Sequence, residues 1–144
     1  MKGFTLLELL IVIGIVVILI GITIAAINPA RQLTAARDAT RWAHVGTYSS
    51  AVAQNMIDNA GTWVCSGYPA TTTWHEISEA DYNICSCIYP TYLGSVPRDP
   101  AAGSSYASCA SGYETDYEVN WTSSTPPYRV QVRSQADNSI TTSR

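Results

Sequence analysis

Few residues of this chain are of kinds that do chemistry, and they fall into separate groups. Glu8 is an acid at the edge of an apolar stretch: residues 9–30 carry no charge, and the next basic residue is Arg31. A carboxylate held in lipid is costly unless paired, so it marks function by default. Phe4 stands four residues earlier, on the same face of a helix. Cys65, Cys85, Cys87 and Cys109 form a second group. Four cysteines allow three connectivities. On a strand, Cys85 and Cys87 would face the same way and bridge each other poorly. They are therefore expected to bond to Cys65 and Cys109, in an order left open, each bridge stabilising by about 2–4 kcal/mol. A zinc site with His75 is the rival, but C-x-C is not the usual zinc spacing. No serine, cysteine or carboxylate cluster is legible around His44 or His75, which argues against an anchored enzyme or receptor. Asn120-Trp121-Thr122 fits the glycosylation pattern, although a strand asparagine explains it equally. No metal, cofactor or catalytic residue is expected.

The element that must hold Glu8 is the apolar run itself. Residues 9–27 read LLIVIGIVVILIGITIAAI. As a helix this spans about 28 Å, close to the roughly 30 Å of a bilayer core. It is apolar all round, so it is not one stripe of a globular helix, and residues 61–144 are too few to enclose it. It is too long for a cleaved secretory signal and no clear A-x-A site follows. Lys2 precedes the run, while Arg31, Arg37 and Arg41 follow it. Positive-inside counting would leave the later part in the cytoplasm; its cysteines point to an oxidising space instead.

Gly3-Phe4-Thr5-Leu6-Leu7-Glu8 followed by this run resembles the class III signal of type IV prepilins and pseudopilins. The resemblance covers about the first 30 residues, and the rest only in architecture. It implies cleavage between Gly3 and Phe4 by a prepilin peptidase on the cytoplasmic side, N-methylation of Phe4, and retention of the helix as the assembly element. The leader, residues 1–3, is short for the family, which points to a translation start upstream. In a filament each Glu8 would meet a neighbour's Phe4 ammonium, a pairing that sets register more than it adds stability. A second, weaker similarity lies in Pro97-Arg98-Asp99-Pro100 with Gly103 and Tyr106, which resembles a stretch of major pseudopilins and related pilins. In some of those a nearby loop binds calcium, which makes Asp99 and Asp116 weak calcium candidates here; their spacing fixes no cage, and two aspartates in turns is the plainer reading.

Past the run, Pro29 is expected to kink a helix that continues to about residue 60. Ala35, Ala39, Trp42, Val45, Val52 and Met56 recur as one stripe, Asp38 and Arg41 can pair at i,i+3, and Asn59-Ala60-Gly61 supplies a stop. Gly14 and Gly21 weaken the apolar half, so part of residues 14–29 is expected to unwind in a filament. Residues 61–144 read as a loop-rich head. Segments 113–121 and 128–133 alternate as a hairpin, 140–142 adds an edge strand, and Arg129 with Arg133 would lie on its outer face. Only ten Ile, Leu or Val residues, Val64 among them, supply its core, so the helix stripe and disulfides must help.

The expected fold is α+β and type IV pilin-like: a long helix over residues 4–60, apolar to 30 and amphipathic from 31, packed on a small antiparallel sheet in a disulfide-stapled head over 61–144. With 13% charged residues and a net charge of −3, neither charge-rich disorder nor a bulk electrostatic grip on nucleic acid is implied. The expected function is structural and not enzymatic: a pilus subunit that begins in the cytoplasmic membrane, is handled by prepilin peptidase and the assembly machinery, and polymerises with identical copies into a surface filament for adhesion, motility or DNA uptake, its tyrosines and tryptophans making surface contacts. A pseudopilin of a type II secretion system is the alternative.

Overall fold

A computed structural model describes residues 3–144; of the expected leader, Met1 and Lys2 lie outside the described residues. The architecture is α+β. In chain order the elements are α1 (Leu6–Ile27), α2 (Pro29–Asp58), β1 (His75–Ser78), α3 (Cys85–Ile88), β2 (Glu114–Trp121), β3 (Val130–Ser134) and β4 (Thr141–Ser143). The chain forms two compact units, one ending at Ala36 and one over Arg37–Arg144.

The first unit is dominated by α1. Thr5 caps it, with extended backbone and a side-chain oxygen that accepts the Glu8 N–H at 3.2 Å. The helix then runs unbroken through Gly14 and Gly21. Its many β-branched residues are mediocre helix formers in water; in hydrocarbon, a helix satisfies all its backbone groups internally and the objection fades. The single helix expected over residues 4–60 is corrected at two places. It begins at Leu6, and it is interrupted at Asn28, which takes a left-handed conformation with φ 44°. The cause of the interruption is local. Pro29 has no N–H to donate and disfavours helical backbone at the residue before it. Asparagine tolerates the left-handed region better than most. Asn28 then opens α2 as well, its backbone and side-chain oxygens accepting the Arg31 N–H at 3.2 and 3.4 Å.

The second unit is built on an antiparallel sheet of order β1-β2-β3-β4. The β2/β3 hairpin pairs Val119 with Val132 and Trp121 with Val130. Strict alternation puts Val130, Val132 and Ser134 on the buried face of β3. β4 lies at the edge, and β1, not separately resolved in the sequence reading, forms the other edge. One face of α2 packs on the core through Val45, Tyr48, Ala51, Val52 and Met56. The expected stripe holds at Val45, Val52 and Met56 and fails at Ala35, Ala39 and Trp42, which are exposed. Arg41 takes the inward place beside Trp42 because a buried carboxylate waits for it.

The core is richer than the aliphatic count suggested. Tyr48, Tyr113, Tyr117 and Trp121 are fully buried, joined by Trp63 and Tyr82, whereas Val64 is half exposed. These rings meet at tilted and edge geometries, Trp63 against Trp121 at 5.4 Å and Tyr48 against Tyr117 at 5.7 Å, worth about 0.5–1.5 kcal/mol per pair beyond their buried area. Much of the aromatic content assigned to surface contact is thus interior.

Candidate functional site

The residues at the start of α1 form one candidate site. Gly3 is exposed, and no atom lies within 4 Å of where a Cβ would stand on it. Phe4 precedes the cap and is 85% exposed. Phe4 and Glu8 therefore do not share a helical face: the helix starts after Phe4, because Thr5 spends its side chain on the cap. Thr5-Leu6-Leu7-Glu8 matches the capping box, and Phe4 with Leu9 occupies the positions of a hydrophobic staple. Glu8 also lies in the first turn, where the helix dipole favours a negative charge. This gives Glu8 a local role besides any partner it finds in another chain. The helix that follows has a stretch, Leu6–Ile24, long and apolar enough to cross a membrane, and none of it is buried against the chain.

In the second unit, polar residues of α2 fasten the helix to the head at intervals of seven. Arg41 donates from Nε to Asp99 at 2.6 Å and from Nη2 at 3.0 Å, a fork-to-fork pair with both side chains buried, and reaches Asp38 at 2.7 Å. Tyr48 donates its hydroxyl to the Pro97 carbonyl at 2.7 Å. Asn55 accepts the Val64 N–H and donates to the carbonyls of Val64 and Cys87, each at 3.2 Å. Two helical turns separate successive members, so all three face one way. A search for apolar periodicity passes over them; the spacing 41, 48, 55 was the available signal. Burial works against the Asp99 carboxylate, but hydrogen bonds from Arg41 and from the Ala101 N–H outweigh it and hold Asp99 below its ordinary 3.8. Those bonds raise Arg41 in turn. His44, one turn on, contacts the Tyr117 hydroxyl at 2.9 Å, and burial lowers its pKa below 6.5.

Asp99 and Asp116, the weak calcium candidates, line one open cleft with Arg41 and Gln135. The guanidinium already sits where a cation would bind Asp99, and no group of three or more potential metal ligands occurs among the described residues. The bridges are Cys65–Cys87 and Cys85–Cys109, with Cα separations of 5.5 and 5.7 Å. Cys85 and Cys87 lie on the short helix α3 and not on a strand. Two residues apart on a helix they point about 200° apart around the axis, which suits two bridges leading to different parts of the chain. Asn120 is buried on β2, donating to the Thr72 carbonyl at 3.2 Å, so its glycosylation reading gives way to a strand residue. Arg133 is no bare outward charge: it pairs with Glu118 at 2.5 Å and stacks over Trp74 at 4.1 Å.

His75 is the other correction. It has the partners the sequence did not reveal: Asp81 at 2.9 Å from Nδ1 and Thr73 at 2.8 Å from Nε2. Thr73 reaches His75 from the bend just before β1, and Asp81 is returned to it by the bend after that strand. Comparison of the chain with protein-family models, curated proteins and solved structures gives no match.

Proposed function

We propose that this chain is a structural subunit of the type IV pilin kind, held in the cytoplasmic membrane by α1 and then polymerised through it with identical copies into a surface filament. The observation that carries the reading is the wholly unburied apolar helix, beginning with a capped Glu8 and preceded by an accessible Gly3-Phe4 bond, on a chain whose other unit builds its own core. Such a helix must find lipid or other helices. Glycine at the cleavage position, with chain after it that is not helical and is extended at Thr5, suits a peptidase. Removal of residues 1–3 would uncover an ammonium on Phe4, and a Glu8 of another subunit is the acid available to it. Two disulfides on a small head suit an oxidising space outside the cytoplasm, which a surface filament and a periplasmic pseudopilus share, so the composition of the filaments decides between them. In this reading adhesion, motility or DNA uptake belongs to the filament, the peptidase and assembly machinery are its processing partners, and the chain performs no catalysis in assembly.

The test is the state of the protein isolated from its native membranes and cell surface. The expected result is a mass beginning at N-methylated Phe4, with filaments composed mainly of this chain. A chain that starts unmodified at methionine and remains dispersed overturns the proposal.

A further inference from the structure

The cluster around His75 carries chemistry that assembly does not require. Asp81 is held at both oxygens: Oδ2 accepts the Glu76 N–H at 2.8 Å and Oδ1 meets His75 Nδ1 at 2.9 Å. Burial disfavours its charge, but the His75 and Glu76 hydrogen bonds outweigh that and keep its pKa below 3.8. In the tautomer that donates from Nδ1 to Asp81, the other ring nitrogen, Nε2, is the acceptor facing the Thr73 hydroxyl, 2.8 Å away. The ring is further fixed by stacking on Tyr82 at 5.5 Å. The threonine is fixed too. The Trp121 N–H donates to the Thr71 carbonyl at 2.8 Å, Asn120 donates to the Thr72 carbonyl, and Thr73 meets the Thr71 hydroxyl at 2.8 Å. Hydroxyl, imidazole and carboxylate thus stand in the order that activates an oxygen nucleophile, each within hydrogen-bond reach of the next.

We propose that Thr73 is an activated hydroxyl, and that the head takes small activated esters at this exposed position, becoming covalently modified on Thr73. The Oγ1 of Thr73 attacks the electrophilic carbon or phosphorus of the ester while its proton passes to His75 Nε2. The bond to the leaving alcohol or phenol then breaks, and that oxygen takes the proton back from His75. The ester is the only co-reactant, and no oxidant or reductant enters. His75 is the base and Asp81 is a positioning residue. Thr73 is exposed, so small esters without a large recognition group are the matching class.

The experiment treats the full-length protein in detergent with an alkyl p-nitrophenyl phosphonate, whose adduct water does not clear, and maps the label by peptide mass spectrometry. Thr73 is expected to react at least about tenfold faster than exposed Thr125, in keeping with the usual size of general-base assistance. That advantage should disappear in His75→Ala and return in part when free imidazole is added. Asp81→Asn should slow Thr73 labelling and change its pH profile, and Thr73→Ser, less hindered, should label faster. Intact disulfides by non-reducing mass and unchanged near-UV circular dichroism identify the variants that are folded. Labelling of Thr73 at the rate of Thr125, or at an unchanged rate in folded His75→Ala, overturns the proposal.

Discussion

The two units of this molecule solve the same problem in opposite ways. Arg37–Arg144 buries tyrosines, tryptophans and aliphatic residues against one another and closes its loops with two disulfides. In α1, the large apolar side chains from Leu6 to Ile27 all remain exposed. The head gains stability from contacts within the chain, and α1 can gain it only from lipid or another molecule. Hydrogen bonding differs in the same way. Among the described side chains of α1 and its cap, the hydrogen bonds are local, Thr5 to the Glu8 N–H and Thr23 to the Ile20 carbonyl. In the second unit Arg41, Tyr48 and Asn55 of α2 reach across tens of residues in sequence to the head. Substitutions should therefore separate: changes in the head should be read by its melting, and changes at the start of α1 by insertion or assembly.

The sharpest break of that contrast lies at Arg41. Arg41→Ala leaves the Asp99 carboxylate buried without its partner, and thermal unfolding of the head should show a loss of about 3–5 kcal/mol. Replacing both as Arg41→Met with Asp99→Leu should recover most of it; an equal loss in single and double variants would remove the pair from the account. Next in size, the paired change Cys85→Ser with Cys109→Ser should cost the head about 2–4 kcal/mol. Non-reducing mass spectrometry of the unmodified protein should find no free thiol. Thr5→Ala removes the cap and should weaken the start of α1 by about 1 kcal/mol. Faster amide exchange over the first turn in micelles would report it, with head melting unchanged.

The smallest effect is on pH. Burial depresses His44, so the unfolded chain binds its proton more readily than the folded head does. This contribution is complete above the unfolded value of 6.5 and is lost as pH falls through the lower folded value. Asp99 adds a loss of the same sign as pH falls from 3.8 through its own depressed folded value. Glu76 opposes both: burial, with Asp116 and Glu114 nearby, raises it above 4.5. Its contribution is present below that value and lost as pH rises through the folded one. Titrating head stability should show a decline on acidification from pH 6.5 that is absent in His44→Gln.

How much could be read in advance follows from the range of the interactions. The apolar helix, the β2/β3 hairpin and the edge strand β4 are legible because patterning within a few residues decides them. The break at Asn28 was half visible, since Pro29 announces a disturbance and not its size. The inward face of α2 was legible at Val45, Val52 and Met56 and was missed at Arg41, because an arginine was not counted as a core residue and it is the distant Asp99 that makes it one. The cysteine pairing depends on α3, a single turn of helix with no periodicity to read. The partners of His75 were missed because Asp81 returns through a turn. At the start of α1, Glu8 could be singled out by charge alone, whereas the cap that places Phe4 outside the helix depends on how Thr5 uses its hydroxyl.

The most direct test of assembly through α1 is to express Glu8→Ala where the native chain forms filaments, measuring membrane insertion and filament number together. Insertion should be unchanged, because the run over Leu6–Ile24 is intact, while filaments should be lost or greatly reduced. Normal filaments from Glu8→Ala would contradict the account.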